Sequence, residues 1–168
     1  MQSTVTLKNG LDVVVRPIRS DDRERLARAF QGLERETVYT RFFRFASELT
    51  DAQLKRATEV DPALEVALVV TIGSGADETI IAGGRYIASA HEPTTAEIAF
   101  LVEEDYQGLG IAGLLLRQLA DIGRRRGLAC FEADVLSENA SMLRVFRRCG
   151  WPMRLRREGA VVHVTLTL

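Results

Sequence analysis

The chain of 168 residues is expected to fold as one α/β (α+β) domain, a mixed and mostly antiparallel central sheet of about six to seven strands flanked by helices. Three observations predict this. Apolar residues recur at helical spacing in "GIAGLLLRQLADIG" and again in "SENASMLRVFRRCG". The end of the chain, "AVVHVTLTL", alternates with a period of two, as a strand buried on one side does. Between these patterns and the start of the chain, three strand-like runs follow one another without a helix between them. A regular strand–helix alternation is thereby excluded.

Taken in order, "STVTL" and "LDVVVRPI" flank Asn9-Gly10, a pair that favours the turn matching strand twist, so they predict a hairpin. Asp21 with Glu24 resembles a capping box, followed by Leu26, Phe30 and Leu33 on one helical face. "ERETVYTRFFRF" predicts a second, less regular helix. Thr50 with Gln53 is a cleaner capping box and opens "TDAQLKRATE". "LEVALVVTIG" and "ETIIAGGRYIAS" predict strands joined through Gly73-Ser74-Gly75, and "AEIAFLV" predicts a third. Ile111, Leu115, Leu119 and Ile122 then mark a helix that ends in "RRR" before Gly127. "ACFEADV" predicts a strand, and Met142, Val145, Phe146 and Cys149 mark the stripe of a last helix closed by Gly150. The terminal "VVHVTLTL" is a candidate sheet edge for pairing with a second subunit, although oligomeric state itself has no signature here.

A net charge of −1 gives no whole-molecule attraction for nucleic acid or an anionic membrane, so neither is expected as a partner. "MQSTVTLKNG" has no apolar core of a signal peptide, and "VALVVTI" (residues 66–72) is too short to span a bilayer. Cys130 and Cys149 lack metal-ligand spacing with the two histidines, so no metal site is expected and the cysteines are expected as free thiols. The expectation is a cytoplasmic protein with a single domain over residues 1–168.

"QGLGIAGLLL" contains Gly108-x-Gly110-x-x-Gly113, the dinucleotide-binding spacing, with Asp134 about 20 residues on. The context does not suit a dinucleotide. That pattern requires a strand running directly into the first glycine, whereas "EEDYQ" separates Val102 from Gly108. Counted from Gln107, the pattern is instead Gln107-x-x-Gly110-x-Ala112. Small residues at a helix start let a phosphate oxygen approach the unpaired first-turn N–H groups, at the positive end of the helix dipole.

"AEIAFLVEEDYQGLGIAGLLLRQLADIGRRRG", then a strand and "SENASMLRVFRRCGW", resembles the acetyl-CoA-binding core of the GNAT N-acetyltransferases. "VVVRPIRSDD", "LERETVYTRFF" and "VDPALEVALVV" further resemble the acetyltransferase domain of bacterial protein lysine acetyltransferases. The resemblance implies the GNAT fold, acetyl-CoA as cosubstrate and a primary amine as acceptor. It implies that backbone groups of Phe100, Leu101 and Val102 pair with the pantetheine arm. Amides of Gln107, Gly108, Leu109, Gly110, Ile111 and Ala112, extended to Gly113, would hold the pyrophosphate. Asn139 would hydrogen-bond the cofactor; a plain helix cap is the alternative for it. Arg117, Arg144, Arg147 and Arg148 are candidates for the 3′-phosphate, the last three against a reading as solvated surface.

Acetyl transfer to an amine needs the neutral amine. A lysine with pKa about 10.4 is deprotonated roughly once in 2,500 molecules at pH 7, a deficit of about 4–5 kcal/mol. A carboxylate beside the amine can take that proton. The resemblance makes Glu97 the base, with Asp134 in reserve beside Glu132. Many family members carry a tyrosine seven positions after the helix asparagine to protonate the leaving thiolate; here that position is Phe146, which has no proton to give. The expected function is transfer of acetyl from acetyl-CoA to a primary amine, foremost the Nε of a protein lysine. A small-molecule amine as acceptor and a non-catalytic acetyl-CoA-binding module are the alternatives.

Overall fold

The computed structural model describes residues 2–31 and 50–168. Its elements are β1 (Ser3–Thr6), β2 (Asp12–Pro17), α1 (Arg23–Gln31), α2 (Asp51–Thr58), β3 (Glu65–Ile72), β4 (Thr79–Ala88), β5 (Thr95–Val102), α3 (Ile111–Arg125), β6 (Cys130–Leu136), α4 (Ala140–Arg148), β7 (Met153–Glu158) and β8 (Val161–Thr167). The strands form one sheet in the order β1-β2-β3-β4-β5-β6-β8-β7. Every neighbouring pair is antiparallel except β5 and β6. Parallel strands need a crossover, and α3 supplies it, so its N-terminus follows the C-terminal end of β5.

Gly84 and Arg85 show how the layers stack. A Cβ on Gly84 would meet the Phe100 ring at 2.8 Å and Leu119 of α3 at 3.3 Å. Arg85, the next residue, donates from Nη2 to the Ala57 carbonyl of α2 at 2.6 Å. Consecutive strand residues point to opposite faces. α2 and α3 therefore cover opposite faces of the sheet. On its inner side α3 buries Ile111, Leu115, Leu116 and Leu119 almost completely, each contributing about 1.5–3 kcal/mol. The stripe of α4 is centred one residue away from expectation: Leu143 and Phe146 are buried, while Met142, Val145 and Cys149 are half-buried against the core.

Other sequence expectations meet the structure differently. The Thr50–Gln53 box forms in both directions, with Gln53 N–H donating to Thr50 Oγ1 at 3.2 Å and Thr50 N–H to Gln53 Oε1 at 2.9 Å. The Asp21–Glu24 box does not; Asp22 accepts from the Arg19 N–H at 2.7 Å, and α1 begins only at Arg23. Asp22 also receives two 2.8 Å bonds from the Arg16 guanidinium, and both side chains are buried. The sheet has eight strands, one more than the upper expectation. The terminal strand is not an edge: β8 lies between β6 and β7, and the edges are β1 and β7. Leu33 and the helix expected over "ERETVYTRFFRF" lie outside the described residues. Among the described residues no helix is long and apolar enough to cross a membrane.

Candidate active site

β5 and β6 stay paired for only three rungs, and the last is Glu97 with Glu132. Beyond it β5 runs on to Val102 and β6 to Leu136 with no pairing between them, and a cleft of about 560 Å³ opens there. Backbone direction along β5 follows from its bonds. Glu103 N–H donates to Ile81 O of β4, and Thr95 O accepts from Ser89 N–H on the same side, so odd-numbered residues face β4. Thr94 O accepts from Ala129 and Cys130 N–H, so even-numbered residues face β6. Past the last rung, the N–H and C=O of Phe100 and the N–H of Val102 therefore face the opening. Leu101, opposite Gly83, directs its backbone to β4 instead.

The glycine segment closes the far end. Gln107 ties it to β5: its side-chain amide donates to Val102 O at 3.1 Å, while its backbone N–H donates to Glu104 O at 3.2 Å. Gly110 is the N-cap of α3 at φ 86° and ψ 12°, a left-handed conformation that costs an L-residue strain. It offers no capping side chain, and the first intrahelical bond runs from Leu114 N–H to Gly110 O. Among the described residues, the N–H groups of Ile111, Ala112 and Gly113 consequently have no partner and sit at the positive end of the helix. An anion with oxygens to spare fits this cradle.

Asn139 caps α4 by accepting from Met142 N–H at 3.1 Å, and it also lines the cleft with its amide nitrogen unbonded among the described residues. The cap and a ligand contact are thus compatible in one side chain. Phe146 is buried in the cleft wall, its ring 6.2 Å from that of Phe100. Tyr106 lines the cleft, whereas Tyr86 is buried against Phe131 away from it.

Glu97, Asn139 and every residue expected to hold the pantetheine or the pyrophosphate line the cleft, except Leu109. Arg144 and Arg148 line it as well, rather than forming only a solvated surface; Arg147 does not. Arg117 stands outside the lining, with Nη1 3.4 Å from where a Gly113 Cβ would be. Lys8 carried no signal in the sequence, yet it lines the cleft beside Gly110.

Glu97 is exposed on the α2-side face, paired with the exposed Ile87, and its neighbour on β6 is Glu132, also exposed. Farther along that face His163 joins Asp134, through Nδ1, to Glu158, through Nε2 at 3.0 Å. The bonds to Asp134 and then Glu158 raise the imidazole above its ordinary pKa, favouring imidazolium. Asp134 lines the cleft with its carboxylate already bonded to His163, whereas Glu97 has no such partner among the described residues.

A sheet parted beside a helix that presents free N–H groups, with a carboxylate at the parting, makes a cleft suited to an extended ligand with an anionic end. The profile of the Acetyltransferase (GNAT) family matches residues 30–151. The chain belongs to the Acetyltransferase (GNAT) family and has the GNAT fold. Acetyltransferase Pat of Mycolicibacterium smegmatis is 34% identical over 146 residues, which are 87% of this chain and 43% of that protein. Acetyltransferase PA5475 of Pseudomonas aeruginosa is 34% identical over 125 residues, 73% of this chain and 65% of that protein. The chain thus spans less than two thirds of each of these relatives. The crystal structure of the GNAT domain of S. lividans PAT superposes with a TM-score of 0.90 at 34% identity, covering 99% of this chain and 97% of that one.

Proposed function

We propose that this acetyltransferase acts on the Nε of protein lysines in the cytoplasm, with Glu97 as the general base. The observation that carries the reading is the place of Glu97 at the last rung before β5 and β6 part. Its side chain lies on the face opposite α3 and α4, so donor and acceptor meet through the sheet from opposite sides. The exposed Ile87 beside it suits the four-methylene stem of a lysine, and the carboxylates of Glu97 and Glu132 suit its ammonium. The likeness to proteins named Acetyltransferase Pat and PAT supports the same acceptor. Both cysteines are free, as suits a reducing compartment.

The residues present fit acetyl-CoA: Phe100 and Val102 offer strand groups to the amides of pantetheine, and Gly110, Ile111, Ala112 and Gly113 cradle the pyrophosphate, with Asn139 across the cleft. When bound, acetyl-CoA supplies an acetyl thioester. Glu97 takes one proton from the acceptor ammonium, directly or through water. The neutral nitrogen would then bond to the acetyl carbon as the carbon–sulfur bond breaks, and the second proton it sheds on becoming an amide would pass to water. Strand N–H groups facing the opening stabilise charge developing on the carbonyl oxygen. Phe146 donates nothing, so the sulfur leaves as thiolate; with a thiol pKa of about 8.5 it is a fair leaving group.

The test is a panel of lysine-bearing proteins and peptides against polyamines and other small amines, read by CoA release and by mass spectrometry of the acceptor. Acetyl-lysine formed by the wild type and lost in Glu97→Gln, with acetyl-CoA affinity retained, is expected. Turnover confined to small amines would overturn the lysine assignment.

A further inference from the structure

The pyrophosphate cradle is built by residues 108–113, but a cation from the far end of the sheet reaches it. Lys8 sits in the β1–β2 turn, and its Cε lies 3.7 Å from where a Gly110 Cβ would be. That turn is firmly held. Leu7 is buried in the core, Leu7 N–H donates to Leu11 O at 2.8 Å, Gly10 N–H to Leu7 O at 2.9 Å, and Leu11 N–H to Asn9 Oδ1 at 3.1 Å. The Lys8 side chain lines the cleft and, among the described residues, forms no ion pair or hydrogen bond. Its ammonium is one bond beyond a carbon that lies 3.7 Å from where a Gly110 Cβ would be, within reach of an anion bound by the first-turn N–H groups.

Resting on the acetyl-CoA reading of the cleft, we infer that Lys8 is a binding residue for the pyrophosphate of the cosubstrate. The hairpin brings Lys8 to the cradle and supplies the charge that the glycine segment, made of small and apolar residues, lacks. The helix supplies N–H groups of fixed direction; the lysine supplies a full charge on a movable stem. Because the whole chain is near neutral, with a net charge of −1, local cations of this kind decide the attraction for an anionic cosubstrate. Arg117, on the next turn of α3, lies beside Gly113 and does not line the cleft.

Calorimetric titration with acetyl-CoA and with its dephospho form, which lacks the 3′-phosphate, tests the assignment. Lys8→Met is expected to weaken both ligands by the same factor, about fivefold for a partly exposed charge-assisted contact. KM for acetyl-CoA rises with kcat unchanged, and the dependence of affinity on salt flattens. Lys8→Arg restores affinity, and Lys55→Met on α2, the same change of net charge on the other face, leaves it alone. Three results overturn the inference: unchanged affinity in Lys8→Met, an equal loss in Lys55→Met, or a loss seen only with the 3′-phosphate present. A wild-type protein that binds neither ligand overturns the reading of the cleft itself.

Discussion

His163 bridges two carboxylates on the open face of the sheet, Asp134 on β6 and Glu158 on β7. Arg156, its cross-strand neighbour, opposes the resulting positive charge, but the two carboxylates prevail and the pKa lies above the ordinary 6.5. A base with a raised folded-state pKa stabilises the fold fully below its unfolded pKa and loses that contribution as pH rises through the folded value. The ring-proton titration of His163 is expected to have its midpoint above 6.5. The gap in thermal midpoint between the wild type and His163→Gln is expected to be widest in mild acid and to narrow in base. A titration midpoint at or below 6.5 would sink this account.

Glu97 and Glu132 share the last rung of β5 and β6, yet only Glu97 lines the cleft. Their neutral variants therefore separate chemistry from local charge. Glu97→Gln is expected to lower kcat by about 10²–10⁴ with acetyl-CoA affinity retained. Glu132→Gln removes one of two like charges on a strand pair, an effect of about 0.2–1 kcal/mol, and kcat stays within a factor of about five. Steady-state kinetics at saturating acetyl-CoA measure both. Equal losses would mean that the pair, rather than Glu97, accepts the proton.

What the sequence made legible was mostly local. Ile111, Leu115, Leu119 and Ile122 announced α3, and Thr50 with Gln53 announced α2, because helix periodicity and caps are relations among neighbours. The glycine segment and Asn139 were legible through resemblance, and the cleft gathers them. Lys8 was not: it meets Gly110 only because a hairpin at the start of the chain lies beside a helix a hundred residues on. Strand order was equally hidden. "VVHVTLTL" alternates as an edge strand does, and nothing in that alternation says that β7 will pair outside it. The parting at Glu97 is a backbone property with no residue code of its own, so alternation alone did not show which of Phe100, Leu101 and Val102 face the opening.

Asp22 is a structural acid whose loss is expected to be costly. Burial alone would raise its pKa, but hydrogen bonds from Arg16 and from the Arg19 N–H outweigh that and leave it lowered. The stabilisation is present above the unfolded carboxyl pKa and fades as pH falls through the depressed folded value. Asp22→Ala removes two hydrogen bonds from the buried Arg16 guanidinium and leaves Glu78 Oε1, at 2.8 Å, as its carboxylate partner, and urea unfolding at neutral pH is expected to show a loss of about 1–3 kcal/mol. Replacing both partners, as Arg16→Met with Asp22→Leu, is expected to cost less than Asp22→Ala alone. The reverse order would mean that the pair contributes little beyond packing.

Gly110 unites a backbone requirement with the proposed binding one. At φ 86° an alanine is strained by about 1–2 kcal/mol, although its Cβ would meet nothing closer than Lys8 Cε at 3.7 Å. Gly108, at φ 79° with nothing within 4 Å, carries a similar strain but does not cap α3. Gly110→Ala and Gly108→Ala are therefore expected to lower stability by comparable amounts, about 1 kcal/mol each in urea. Their effects on acetyl-CoA diverge, because only Gly110 sets the direction of the Ile111, Ala112 and Gly113 N–H groups. Gly110→Ala is expected to weaken acetyl-CoA about tenfold or more, the equivalent of one hydrogen bond to a charged group, and Gly108→Ala distinctly less. Calorimetry on the two variants decides it. Equal affinities would show that the cradle tolerates a reoriented cap, and that charge rather than direction holds the pyrophosphate.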